Sequence, residues 1–184
     1  MSREIENEFK IMLTKAEYER ILAMYEFDGI VQTNHYFDTD ELEMSAKHTT
    51  VRVREVDDKY LLQVKLPTEV RYSRVEFCEE LGEIPETVSA EQLKRLTGAD
   101  FPEVRRLGTL KTTRNIHKFD GGEIDLDCSE YFDVVDYELE IEFSDEVKAR
   151  AVLDEIRARI GIQPSAEVCS GKLHRFLARF KESA

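Results

Sequence analysis

Glutamate recurs at every second position near the start of the chain: Glu4, Glu6 and Glu8, followed in the same parity by Lys10. Ile5, Phe9 and Ile11 take the opposite parity. A second run, Glu138, Glu140 and Glu142, alternates with Leu139, Ile141 and Phe143. In a β-strand, alternate side chains point to opposite faces, so each run places like charges on one face. Such charges cost stability unless something of opposite sign lies between them. The same alternation sets Arg52 and Arg54 against Val51 and Val53, and Gln63 and Lys65 against Leu62, Val64 and Leu66. It also sets Arg74 and Glu76 against Val75 and Phe77, and Asp125 and Asp127 against Ile124 and Leu126. Thr113 and Asn115 flank Arg114, whose parity is less clear. A sheet with one wet face accounts for any single strand. Taken together, blocks sorted into carboxylate and guanidinium point to a site built to be filled.

Residue type names the filling. Clustered carboxylates without histidine or thiolate ligands favour a hard cation held by oxygen, Mg²⁺ or Mn²⁺. Arginine offers a planar fork and lysine a point charge to a polyanion such as a phosphate chain. Together they describe phosphoryl transfer or phosphate hydrolysis. The chain contains no GxxxxGK[ST] loop, so side chains must hold the phosphates.

The elements that must position these residues follow from periodicity and punctuation. Residues 4–13 read as a strand. Thr14 and Glu17 form a capping box that opens a helix to about Phe27, ended by Asp28-Gly29. Residues 32–39 read as a strand and the polar stretch 40–49 as a loop or lid. Strands 50–56 and 59–66 flank Asp57-Asp58, and 71–81 is another strand. Ser89 caps a helix to about Thr97, ended by Gly98, and Pro102 opens a short helical turn. Strands 107–119 and 123–132 flank Asp120-Gly121-Gly122, and 136–143 is the last strand. Ser144 caps a helix from Asp145 to Ile160, closed by Gly161. A final helix starts near Ser170 and carries Leu173, Phe176, Leu177 and Phe180. This is one α+β domain over 1–184, of about eight strands with helices outside them. Eight such strands close most easily as a barrel with a polar, charged interior.

Composition narrows the partners. A net charge of −13 argues against binding duplex nucleic acid or anionic membranes. No apolar run is long enough to span a bilayer and no signal peptide is visible. The three cysteines, Cys78, Cys128 and Cys169, share no CxxC spacing and read as free packing thiols in a reducing cytoplasm. The four histidines are scattered and carry no assigned role. Tyr36 and Tyr131 read as buried strand-end aromatics rather than stacking platforms, and Lys111 and Arg71 as surface charge.

Glu6-Asn7-Glu8-Phe9-Lys10 is an ExExK motif, and the segments that follow it keep a fixed order: VRVR, LLQVKLP, SRVEFCEE, TTRNIH, IDLD, YELEIE and SGKLHRF. This ordered set, spanning nearly the whole chain, resembles the CYTH domain, or triphosphate tunnel metalloenzyme, family. The resemblance implies an eight-stranded antiparallel barrel forming a tunnel. It implies Mg²⁺- or Mn²⁺-dependent hydrolysis of inorganic, thiamine or nucleoside triphosphates or RNA ends, with cyclic AMP formation in one branch. Carried over by motif, Glu6, Glu8, Glu138 and Glu140 bind metal. Glu76 and Asp127 hold a second metal or orient the attacking water, and with Lys10 form the catalytic set. Lys10, Arg52, Arg54, Lys65, Arg74, Arg114 and Lys172 grip the phosphates. Glu4 and Glu142 extend the two motifs and line the tunnel mouth.

Inorganic tripolyphosphate is the first expectation for substrate, because it needs only the charges. The alternatives are an adenylate cyclase on the same fold and a non-catalytic polyphosphate or nucleotide sensor. The partner expected is a small-molecule triphosphate, and the sequence leaves a homodimer open.

Overall fold

A computed structural model describes residues 1–70, 72–162 and 170–183. Arg71 and Cys169, assigned above as surface charge and free thiol, lie outside the described residues. The strands are β1 (Ser2–Leu13), β2 (Asp28–Asp38), β3 (Thr50–Val56), β4 (Lys59–Pro67), β5 (Ser73–Leu81), β6 (Thr87–Val88), β7 (Val104–Phe119), β8 (Gly122–Tyr131) and β9 (Val134–Phe143). The helices are α1 (Lys15–Leu22), α2 (Glu43–Ala46), α3 (Ala90–Thr97), α4 (Glu146–Ile160) and α5 (Lys172–Ser183). The strand order is β2-β3-β4-β5-β1-β9-β8-β7-β6, and a further β2–β7 pairing closes it. The result is a closed antiparallel barrel of eight strands with helices outside, to which β6 adds a two-residue edge on β7. Closure removes the unpaired edges an open sheet would present.

The fold divides into two compact units. The first comprises Met1–Glu6, Gln32–Lys111 and Lys172–Ala184. Its core joins Val51, Val53, Leu62 and Val64 of β3 and β4 to Met44 of α2 and Leu93 and Leu96 of α3, each nearly or fully buried. The apolar parity of these strands is thus the helix-covered one. α3 forms where the capping pattern places it: Ser89 Oγ accepts from Gln92 N at 3.2 Å, and Gly98 ends it with φ 78°. Asp57 and Asp58 both adopt positive φ, the backbone that turns β3 tightly into β4.

The second unit comprises Asn7–Val31 and Thr112–Gly171. Its core joins Ile124, Leu126, Leu139 and Ile141 of β8 and β9 to Tyr18 and Ile21 of α1 and to Ala149, Leu153, Ile156 and Ile160 of α4. The last four recur at helical spacing and give α4 one apolar face. The α1 capping box is present: Thr14 N donates to Glu17 Oε2 at 2.7 Å, and Glu17 N donates to Thr14 Oγ1 at 3.3 Å.

Four local expectations differ from the structure. α1 ends at Leu22 rather than near Phe27, because Tyr25 and Phe27 leave helical register to pack on His117, with ring centroids 4.7 and 6.0 Å apart. His117 Nδ1 also bonds Glu26 O at 2.9 Å. Stretch 40–49 holds the short helix α2, whose first amides are taken by Asp38 and Thr39. The N-cap of α4 is Asp145, not Ser144: Asp145 Oδ1 accepts from Val147 N and Lys148 N, at 3.0 and 3.2 Å. A carboxylate there also complements the helix dipole. Pro102 opens no helical turn; the chain runs on into β7, where Val104 pairs with Val88 of β6.

Candidate functional site

In the first unit, register alone brings opposite charges together. Lys65 stands opposite Glu76 across β4 and β5, and Arg52 opposite Gln63 across β3 and β4. Lys65 Nζ lies 3.0 Å from Glu76 Oε2 and donates also to Glu6 Oε2. Arg52 Nε donates to Gln63 Oε1 at 2.8 Å, and Gln63 Nε2 donates to Glu76 Oε1 at 2.7 Å. Gln63, which carried no role in the sequence, therefore links an arginine to a carboxylate. Arg54 Nε donates to Asn34 Oδ1 at 3.2 Å. Arg74 Nη1 donates to Ser73 O at 2.9 Å. Lys172 is buried at the start of α5. In the same unit Phe176 of α5 packs on Tyr36, with ring centroids 5.1 Å apart. Tyr36 is the register partner of Arg52, so it shares the charged face.

In the second unit, three rows cross β1, β9 and β8 in register: Glu8–Glu142–Glu123, Lys10–Glu140–Asp125 and Met12–Glu138–Asp127. Register partners point to the same face, so these carboxylates crowd together. Lys10 Nζ sits among them, 2.8 Å from Glu140 Oε1, 3.0 Å from Glu8 Oε1 and 3.5 Å from Glu138 Oε1. Arg114 is the second cation. Its Nε and Nη2 donate to Asp127 at 2.9 and 2.7 Å, Nη2 to Glu140 at 2.6 Å, and Nη1 to Asp125 Oδ2. The structure thus settles the parity of Arg114. It stands on the charged face, 7% exposed, beside Asp125 and Asp127, both 0% exposed.

Burial and charge shift these groups in opposite senses. Burial works to lower the Lys10 ammonium, but Glu140, Glu8 and Glu138 outweigh it and hold its pKa well above the ordinary lysine range. Arg114 behaves likewise: burial opposes its charge, and Asp127, Glu140 and Asp125 together raise it. Asp125 is pushed up to about 7, first by burial, with Arg114 opposing the rise and Asp127, Glu140 and Glu123 adding to it.

The donor set fits a divalent metal. Every side chain in the crowded rows offers oxygen, the chemistry Mg²⁺ and Mn²⁺ prefer, save for Lys10 and Met12 of β1. Glu123, Asp125 and Glu142 each bring an oxygen within 4.8 Å of the others. Asp125 Oδ1 is buried with no hydrogen-bond partner among the described residues. Glu142, expected only to line a mouth, stands opposite Glu8. Of the other predicted metal residues, Glu140 stands opposite Lys10, Glu138 opposite Met12, and Glu6 bonds Lys65. Asp125 and Glu123 escaped assignment, although their shared parity with Asp127 is a readable signal.

Neither described cysteine joins the ligand set by its chemistry. Burial raises the Cys78 thiol, helped by Glu76, and raises the Cys128 thiol, helped by Glu130. Both are free. Cys128 packs on the apolar side of the second unit, whereas Cys78 stands opposite Gln63. Tyr131 is buried as expected and donates its hydroxyl to Asp136 at 2.6 Å.

A closed antiparallel barrel whose strands carry ordered carboxylates and cations on one parity is a charged-lining barrel, a class set apart from barrels with apolar interiors. The CYTH domain model matches residues 4–166, and the chain belongs to that family. It is 35% identical, over the full length of both chains, to YjbK of Bacillus subtilis (strain 168), which is described as a candidate triphosphatase. Among solved structures it resembles a candidate adenylate cyclase from Bacillus halodurans, with 26% identity, a TM-score of 0.77, and coverage of 96% of this chain and 99% of that one. It shares its fold with HpAC1 of Hippeastrum, a candidate adenylyl cyclase described as having a dominant triphosphatase activity. That match has 20% identity, a TM-score of 0.71 and 96% coverage of both chains.

Proposed function

We propose that the protein hydrolyses a triphosphate with the help of Mg²⁺ or Mn²⁺, and that inorganic tripolyphosphate is its best substrate. One observation carries the reading. Glu123, Asp125 and Asp127 of β8 and Glu138, Glu140 and Glu142 of β9 crowd together with Lys10 and Arg114 as the cations seated among them. A multivalent cation relieves the repulsion in such an excess of carboxylate, and a phosphate chain is the usual companion of such a cation. The full-length relative described as a candidate triphosphatase supports the same activity.

The roles follow from chemistry. Glu6, Glu8, Glu138 and Glu140 hold the metal, together with Glu142, which faces Glu8. A bound metal polarises phosphate oxygens and neutralises their charge. Arg52, Arg54, Lys65, Arg74, Arg114 and Lys172 bind phosphate oxygens and stabilise charge on the leaving group. Lys10 neutralises Glu138 and Glu140 and contacts the substrate. Gln63 holds Arg52 and Glu76 in fixed orientation, so Glu76 can orient the attacking water; Asp127 orients Arg114 and shares that task. Residues 1–184 act as one catalytic domain in this reading, within the cytoplasm. Among the described residues no helix is long and apolar enough to cross a membrane.

The test is phosphate release from tripolyphosphate, thiamine triphosphate and ATP, each with Mg²⁺, with Mn²⁺ and with chelator, beside Glu6→Ala. Metal-dependent release that Glu6→Ala abolishes, fastest on tripolyphosphate, is the expected result. Cyclic AMP from ATP as the main product would replace hydrolase by cyclase. Binding of tripolyphosphate without release would leave a sensor.

A further inference from the structure

β2 contributes no charged residue to the site described above, yet it carries two buried carboxamides on the charged parity. Asn34 is the register partner of Arg54, and Tyr36 that of Arg52, so the even-numbered residues of β2 share the face of those arginines. Asn34 is 0% exposed and Gln32 is 2% exposed. By strand alternation the two side chains project from the same face, roughly 7 Å apart along the strand.

The orientation of Asn34 is set by its neighbour. Arg54 Nε can only donate, and it lies 3.2 Å from Asn34 Oδ1. The carbonyl of Asn34 is thereby turned toward Arg54 and its NH₂ away from it. That nitrogen is buried with no hydrogen-bond partner among the described residues, and the same is true of Gln32 Nε2. A buried donor left unpaired costs about 1–3 kcal/mol, and folded proteins keep few of them. Two on one strand of one face are a costly arrangement unless an acceptor joins them.

Among the described residues of this unit, the charged face itself does not supply that acceptor. Arg52, Arg54 and Lys65 accept nothing. Glu6 is bonded to Lys65, and Glu76 to Gln63 and Lys65. A ligand that supplies it is restricted by chemistry. A nucleobase edge pairs with a carboxamide by offering a donor and an acceptor together, whereas the two unpaired atoms here are both donors. A non-bridging phosphoryl oxygen only accepts, and it suits a site where two amides stand beside a guanidinium.

We propose that Asn34 and Gln32, with Arg54, form a neutral-donor subsite for the non-bridging oxygens of one phosphoryl group of the substrate. The inference rests on the triphosphate reading and adds to its charged residues two that bear no charge. Amides also bring geometric selection without further positive charge: they reward an oxygen at a fixed distance, whereas an ammonium attracts any anion nearby.

The experiment measures KM and kcat for inorganic tripolyphosphate with Mn²⁺, and calorimetric binding of tripolyphosphate, in wild type, Asn34→Asp, Gln32→Met and Arg52→Ala. Thermal melting checks folding. Asn34→Asp keeps shape and can still accept from Arg54, but it loses the donor and adds a repelling charge. Gln32→Met keeps length and touches no arginine contact, so it serves if Asn34→Asp does not fold. The expected result is a KM raised about 10- to 100-fold in each, the range of one hydrogen bond to a charged group, with kcat within about threefold of wild type. If Asn34→Asp and Gln32→Met both bind tripolyphosphate within about twofold of wild type while Arg52→Ala does not, the amides only support the strand, and this inference alone falls. If wild type neither binds nor hydrolyses tripolyphosphate, the function proposed above falls and takes the subsite with it.

Discussion

Arg114 and Asp127 meet edge to edge: Nε donates to Oδ1 at 2.9 Å and Nη2 to Oδ2 at 2.7 Å, with both side chains almost wholly buried. Asp125 accepts from Nη1 and Glu140 from Nη2 of the same guanidinium. Breaking a buried ion network by removing one partner leaves uncompensated charge and costs about 3–5 kcal/mol. Arg114→Met will therefore lower stability in chelator by about that amount, read by urea denaturation. Arg114→Lys will recover only part of the loss, because an ammonium cannot serve three carboxylates through a planar fork. A loss below about 1 kcal/mol for Arg114→Met would show that the acidic rows tolerate one another without the guanidinium.

Glu8 and Glu142 are like charges in register. In chelator, Glu142→Gln relieves that repulsion, so stability will be unchanged or higher by up to about 1 kcal/mol. In millimolar Mn²⁺ the wild type will melt higher, as binding to the folded state requires, and the variant will gain much less. Triphosphatase activity of the variant will fall by about 100-fold or more. An equal Mn²⁺-induced rise in melting temperature for both proteins would remove Glu142 from the metal site.

Gly122 opens β8 against the last strand. A Cβ built there would lie 2.2 Å from Glu142 O and 2.7 Å from the Phe119 ring. The nearer atom is backbone and cannot swing aside, so Gly122→Ala must push β9 away at Glu142. We expect a loss of about 2 kcal/mol or more, in the range of strained substitutions, together with weakened Mn²⁺ binding. Wild-type melting for Gly122→Ala would show that the β7–β8 turn and β9 adjust freely.

Ser89 supplies the side-chain cap of α3, a helix that contributes no residue to the candidate site. Ser89→Ala will cost about 1 kcal/mol and leave KM and kcat for tripolyphosphate unaltered. A change in KM would couple α3 to the phosphate-binding strands.

Much of this protein is legible in its amino-acid sequence, because parity is a local property. The sorting of Arg52, Lys65, Glu76 and Glu138 onto the charged side, each of its own strand, needs only the two-residue period of a strand. The caps at Thr14 and Ser89 and the glycines at Gly98 and Gly161 follow from helix-end chemistry within four residues. What stayed hidden depended on register and packing between distant segments. Periodicity says that Glu142 is charged-side, but only the pairing of β1 with β9 puts it opposite Glu8, and Glu140 opposite Lys10. α1 stops early because Tyr25 and Phe27 find His117, some ninety residues on, and burial there outweighs local helix propensity. Arg114 could not be placed from Thr113 and Asn115, since polar neighbours on both sides erase the alternation. Local sequence names the groups that carry the chemistry and the parity they share. Which of them touch is set by long-range packing, because strand register is chosen by the summed fit of whole apolar faces against their helices and not by any single charged residue.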